Sequence, residues 1–345
     1  MSTKTARRRW SKELSNEIDG IALGASGPVL LHGYEEPAGG KWMDSVIPGK
    51  LSARDRTTGE QLWSSPCEVG YGRGFGAGLG PAEDVVVLGP SLQGHRIVRM
   101  RLDNGELINL KSIRPFDLAL VAPDVCLCLT PNRVSAILTA EMIEAWEFSK
   151  SGLRFHNIGR QGKSVYVVAS KPTTGEYSVL VLDAQTGRPR GTLVEGSKSV
   201  IHAIAAEPGA VVMLVEKLED VLSRDAWMDH LLKRIQEDPD AEVEEPKGLA
   251  LVAFDPASGQ GQGPLWTAPV EGEHQEELPE ATLVSDSGKV YLANGASMHV
   301  RDSLTGRVLG SQTVPGLDEH IAWSVADGAG VLAEETRISV FEIPD

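Results

Sequence analysis

At 345 residues with 41% hydrophobic side chains, the chain is long enough to bury a sizeable core, and 37 glycines with 20 prolines point to many turns. A formal net charge of −15 argues against a nucleic-acid binder, which needs basic surface to displace counterions, and no apolar run approaches the ~20 residues that cross a bilayer. Three cysteines, an odd number without disulfide spacing, complete a set of bounds that together point to a cytoplasmic location, and the lack of a long apolar run to no membrane partner.

Taken in order, the chain begins with Arg7-Arg8-Arg9-Trp10-Ser11-Lys12, which looks like a twin-arginine export signal. Such a signal needs an apolar segment directly afterwards. Glu13, Asn16, Glu17 and Asp19 stand there instead, so export is not expected. Alternating apolar stretches then predict strands at 18–23, 28–32, 50–55 and 61–68. The last two are joined by Asp55 to Trp63, DRTTGEQLW. In such a turn Asp folds its carboxylate onto nearby backbone N–H groups, and Gly closes the chain with φ > 0.

The same arrangement recurs along the sequence. Strands at 74–79, 84–88, 96–103 and 106–113 enclose Asp103-Asn104-Gly105, which reads as a shortened copy. A third group, 116–122, 125–130, 134–139 and 144–148, has lost both Asp and Gly from its turn at Thr139–Met142 but keeps Trp146. Strands 155–159, 164–169, 178–183 and 189–194 carry Asp183 to Gly187. A fifth group, 200–205, 210–215, 249–255 and 265–270, carries Asp255 to Gly259 and then Leu265-Trp266. The sixth, 281–285, 289–293, 298–302 and 308–314, carries Asp302 to Gly306. The seventh, 321–325, 330–333 and 338–343, is one strand short.

Four strands per repeat, at intervals averaging about 43–48 residues, correspond to one propeller blade. The expected fold is therefore an all-β, seven-bladed β-propeller of four-stranded antiparallel blades, forming one domain over residues 1–345. The missing strand has a donor in the segment around Trp10, whose Trp matches Trp63, Trp146 and Trp266. Its pairing into the last blade closes the ring and leaves no long open edge. The pattern D-x-x-T-G-x-x-L-W resembles the repeat of the quinoprotein-like superfamily, the pyrroloquinoline-quinone-type propellers. That superfamily includes outer-membrane assembly lipoproteins as well as quinone-dependent dehydrogenases. The resemblance spans nearly the whole chain and implies Trp residues that dock against neighbouring blades. The chain departs from the enzymes in lacking an adjacent Cys-Cys pair and a secretion signal, and in having seven blades where they usually have eight. It is therefore expected in the non-enzymatic branch, with no cofactor and in particular no pyrroloquinoline quinone.

In a propeller the D–A and B–C connections open on one face, the top, and the A–B and C–D turns on the other. The long connections at 33–49, 89–95, 171–177 and 216–248 all read as B–C, which makes the top the expected functional face. The insertion at 33–49 holds Trp42, Met43, Val46 and Ile47, a candidate lid. The insertion at 217–247, in blade five, spaces Leu218, Val221, Leu222, Met228, Leu231, Leu232 and Ile235 as one helical face beside Trp227. A helix is expected at 219–237, stopped by Asp238-Pro239 and followed by an acidic stretch. Its apolar side packs on its own propeller, on a partner or on a second copy. Trp42, Trp227, Met228 and Leu231 are the partner-binding candidates, and the protein is expected as a monomer or as a dimer through that helix.

The channel mouth supplies the other candidates. Asp19, Asp117, His156 and His202 fall at comparable places at the start of the inner strands, each after an apolar residue, with His320 within one residue of that level. These groups have the chemistry to hold a polar ligand or a divalent metal, with His156, His202 and His320 as the candidate metal ligands. His32, His95 and His299 read as solvent-facing strand-end residues. Cys126 and Cys128 face one way on a strand and read as buried small hydrophobes. The glycines of 70–78 lack the strand–loop–helix setting of a phosphate loop, and no nucleophile elbow, zinc-protease helix or paired-Cys motif is present. The expectation is a non-catalytic propeller binding a protein, peptide or small polar ligand through its top face. The alternative is a metal-assisted lyase, hydrolase or isomerase with histidine as acid or base.

Overall fold

The computed structural model describes residues 4–14, 17–23, 28–34, 49–67, 69, 76–81, 84–91, 93–217, 248–257, 263–270, 283–317, 322–334 and 336–343. The strands form seven four-stranded antiparallel blades. Blade 1, for example, runs Glu17–Leu23, Val29–Tyr34, Gly49–Arg54 and Gln61–Cys67, strands A to D from the inside outward. Second strands have neighbouring blades on both faces, so they read as continuous apolar runs rather than alternating ones. Asp84–Ser91 in blade 2 and Ser164–Ser170 in blade 4 each hold six consecutive buried residues. The outer strand Leu107–Ile113 of blade 2 has none.

The apolar core is divided among the joints. Among the described residues there are seven clusters, one between each pair of consecutive blades. The cluster joining blades 7 and 1 sets Trp10 and Val340 with Ile18 and Val29, so the ring is closed by packing as well as by pairing. The pairing is as expected from Trp10. Arg7–Glu13 lies antiparallel on Arg337–Glu342 as the fourth strand of blade 7, with Trp10 opposite Val340 and Ser11 opposite Ser339. A feature outside the expectation precedes it. Lys4–Thr5 adds in parallel to Val308–Thr313, the outer strand of blade 6, making that sheet five-stranded.

The C–D turns of blades 1, 4 and 6 repeat one design. The N–H of Gly59 donates to the carbonyl of Asp55, and Gly187 and Gly306 do the same to Asp183 and Asp302. The Asp55 carboxylate accepts from the N–H groups of Thr57 and Thr58 at 2.8 and 2.7 Å. In blade 2 the matching bond runs from Gly105 to Arg101, so Arg101 occupies the Asp position and the turn is full length, not shortened as its Asp103 suggests. In blade 3, Met142 takes the Gly position with φ 55° and donates to Leu138.

Four of the C–D turn glycines lie under an aromatic ring from the blade before. A Cβ on Gly59, Gly105, Gly187 or Gly306 would fall 2.4–2.7 Å from the indole of Trp10, Trp63, Trp146 or Trp266 respectively. Each of these Trp residues also donates its Nε1–H to the carbonyl one residue past the Asp position: Arg56, Leu102, Ala184 and Ser303, at 2.7–3.0 Å. Strand register puts Asn109 of blade 2 at the Trp position, and the turn it faces, in blade 3, is the one that carries Met142 in place of Gly.

Two connections differ from the sequence reading. Strands Asp84–Ser91 and Gly94–Arg101 extend towards each other and leave only residues 92–93 between them, so 89–95 is a tight turn. Residues 171–176 repeat the C–D turn on the opposite face, with Gly175 donating to Lys171 and Lys171 to Glu176. The helix expected at 219–237 lies outside the described residues, as does most of the 33–49 insertion.

Candidate ligand-binding face

Among the described residues, strand A starts with a β-bulge at the top of three blades. Register slips between Ile18 and Gly20 in blade 1, between Phe155 and Asn157 in blade 4, and between Ile201 and Ala203 in blade 5. The extra residues are Asp19, His156 and His202, three of the sequence-selected candidates. In each case the apolar residue before the bulge is buried and anchors it: Ile18 at 3%, Phe155 at 2% and Ile201 at 3% exposure. Asp117 of blade 3 stands just before strand Leu118–Val121. Its N–H donates to the carbonyl of Leu129, the residue on which Leu118 registers. A bulge leaves one side chain outside the ladder and re-aims it, which is how an otherwise regular sheet presents a functional group at its rim.

The histidines are held by partners at the top of their own blades. His156 Nε2 lies 2.7 Å from the Ser170 hydroxyl, at the end of strand B, and its ring lies against Tyr177, at the start of strand C, with centroids 5.4 Å apart. Burial lowers the His156 pKa, and the Arg154 charge lowers it further. His202 Nε2 is 3.4 Å from Glu216 Oε2, an ion-pair distance outside hydrogen-bond geometry. The His202 carbonyl accepts from Asn157 Nδ2 at 3.2 Å, which ties the bulges of blades 4 and 5 together.

His95, read from sequence as a solvent-facing strand end, is half-buried and meets Phe116 edge-on at 4.9 Å. Its pKa is lowered by burial, against opposing contributions from the Phe116 backbone and the Asp117 carboxylate. No local signal marks His95, because its neighbour across the joint lies in the next blade.

The arrangement is an arc over blades 2 to 5: His95, Asp117, His156 with Asn157, and His202. The imidazoles present hydrogen-bonding ring nitrogens, so with Asn157 and the exposed Asp117 the arc suits amide-like or cationic groups. Among the described residues no set of three or more His, Cys, Asp or Glu is spaced to hold a metal ion. The Asp19 backbone is placed by its bulge. His320, Trp42, Trp227, Met228 and Leu231 lie outside the described residues. Cys126 and Cys128 are buried, and burial raises both thiols, Cys128 to about 12.

No family model matches the chain, and no curated protein matches it. Several solved structures are similar over its full length. BamB from Moraxella catarrhalis matches 98% of this chain and 100% of that chain at 15% identity, with a TM-score of 0.48. The computationally designed Ika8 protein matches 99% of this chain and 100% of its own at 13% identity, with a TM-score of 0.54. Raptor from Chaetomium thermophilum matches 100% of this chain and 29% of its own at 10% identity, with a TM-score of 0.61. At these identities the likeness of the last two is one of fold.

Proposed function

We propose that the protein is a non-catalytic cytoplasmic propeller that holds a protein or peptide segment, or a small polar ligand, across the arc His95–Asp117–His156–His202. The observation that supports this reading is the recurrence of a bulge at one level of strand A, in blades 1, 4 and 5, each anchored by a buried apolar residue. A bulge interrupts a ladder and is retained where it re-aims a side chain. The top-face insertions at 33–49 and 217–247, with Trp42, Trp227, Met228 and Leu231, extend the same surface in this proposal. Three buried cysteines that form no disulfide accord with a reducing compartment. The docked Trp residues and Asp-Gly turns support the quinoprotein-like resemblance at the level of scaffold.

The test is photo-crosslinking in cell extract from an aryl ketone placed at Tyr177, on the arc, and at Thr57, on the opposite face. Capture of a discrete partner from position 177, absent from position 57 and lost in the His156→Ala/Asn157→Ala/His202→Ala variant, is the expected result. Equal capture from both faces sinks the proposal. Zinc chloride that raises the melting temperature of the parent but not of the triple variant would favour metal chemistry instead.

A further inference from the structure

Six of the seven outer strands carry a residue that discourages further strand pairing: Pro66 in blade 1, Lys111 in blade 2, Glu147 in blade 3, Arg190 in blade 4, Pro269 in blade 5 and Lys12 in blade 7. Proline removes a ladder donor, and a charge resists the desolvation that pairing imposes. Val308–Thr313 of blade 6, VLGSQT, has neither a proline nor a charge. Among the described residues it is also the outer strand to which the chain adds a fifth, along its last two residues. Lys4 registers on Gln312 and Thr5 on Thr313, and the Ala6 N–H donates to the Thr313 carbonyl at 2.9 Å. The cap is seated, with Ala6 8% and Gln312 3% exposed, and Ala6 packs in the apolar cluster between blades 6 and 7.

We propose that the outer edge of blade 6 is a strand-addition surface, capped in cis by residues 4–6, and that when uncapped it pairs with the same edge of a second copy of this chain. A second copy is the occupant the chemistry selects. Two identical uncharged edges pair antiparallel about a two-fold axis, each satisfying the other's backbone groups, whereas the other six edges oppose pairing. The cap and the ring-closing strand are adjacent in sequence but separate in function. Arg7–Glu13 completes blade 7 through its own six register pairs, so the cap can be removed while the closure stays.

The experiment deletes residues 1–6 and measures mass by light scattering beside the full-length chain, with circular dichroism to follow folding. The expected result is a truncated protein of twice the full-length mass, returned to the full-length mass by Gly310→Lys. A Cβ at Gly310 meets nothing within 4 Å, so the lysine is accommodated. Ala6→Pro in the full-length chain, which removes the N–H donated to Thr313, is expected to act like the deletion and decides the matter if the truncated chain fails to fold. Equal masses for the full-length and uncapped chains overturn the proposal. So does association that Gly310→Lys leaves unchanged.

Discussion

Two glycines with the same backbone torsion show how much of the turn chemistry is steric. Gly105 and Gly175 both have φ +71°, but a Cβ at Gly105 would meet the Trp63 ring at 2.4 Å, whereas one at Gly175 meets nothing within 4 Å. Gly175→Ala is expected to cost about 1 kcal/mol, the left-handed strain alone. Gly105→Ala adds an overpacking term and is expected to cost about 2–4 kcal/mol. Urea unfolding of the two variants measures the difference directly. His156 carries a prediction in pH. Its folded pKa lies below that of the unfolded chain, so its contribution to stability is complete above about pH 6.5. It is lost progressively as pH falls further, because the unfolded imidazole takes up the proton that the folded one resists. His156→Asn is therefore expected to flatten the fall in urea midpoint between about pH 7.5 and about pH 5.5. Cys126 and Cys128, with raised thiols in a covered strand, are expected to react with iodoacetamide only after unfolding.

At the scale of the element, the unit of the scaffold is a Trp on one blade and a Gly on the next. Four joints have this pair, and each Trp contributes both a stacked ring and an Nε1–H bond to the facing turn. The joint between blades 2 and 3 has lost both members together, with Asn109 at the Trp position and Met142 at the Gly position. The physical reason is mutual. Without the ring above it the turn has room for a side chain, and the buried Met142 fills it at the cost of a positive φ. The expectation is a coupled restoration. Asn109→Trp alone clashes with Met142, and Met142→Gly alone leaves a cavity. The double variant is predicted to be more stable than the sum of the singles by about 1–3 kcal/mol in a double-mutant cycle. Additive effects would show that the two losses are unrelated.

The whole molecule depends on the joint that closes the ring. Trp10 docks on the blade 1 turn, the Arg56 guanidinium bonds the Ala326 and Asp327 carbonyls of blade 7, and Glu13 pairs with Arg337. Deletion of residues 1–13 is expected to leave an open three-stranded blade 7 and to abolish a single cooperative unfolding transition. Adding a synthetic peptide of those residues is expected to restore it, as followed by tryptophan fluorescence. The fold itself was legible because it is repetitive. Four Asp-Gly turns set the blade period, and Trp10 identified the closing strand from the far end of the chain. Two details were not, because they are set by backbone bonds that spacing does not show: Arg101 in the Asp position of blade 2, and the tight turn at 92–93. His95 was missed because its partner Phe116 belongs to another blade.

The sequence by itself determined the blade count, the strand order, the closing strand and the level of Asp19, Asp117, His156 and His202, since each follows from local alternation and a repeated turn. The tertiary structure decided what those residues do at that level. It placed Asp19, His156 and His202 on bulges, gave His156 to Ser170 and His202 to Glu216, and folded residues 4–6 over an edge more than 300 positions away. The cap depends on which blades become neighbours once the ring is shut, and the histidine partners depend on the bulge that re-aims each side chain within its own blade; no short stretch of chain carries either.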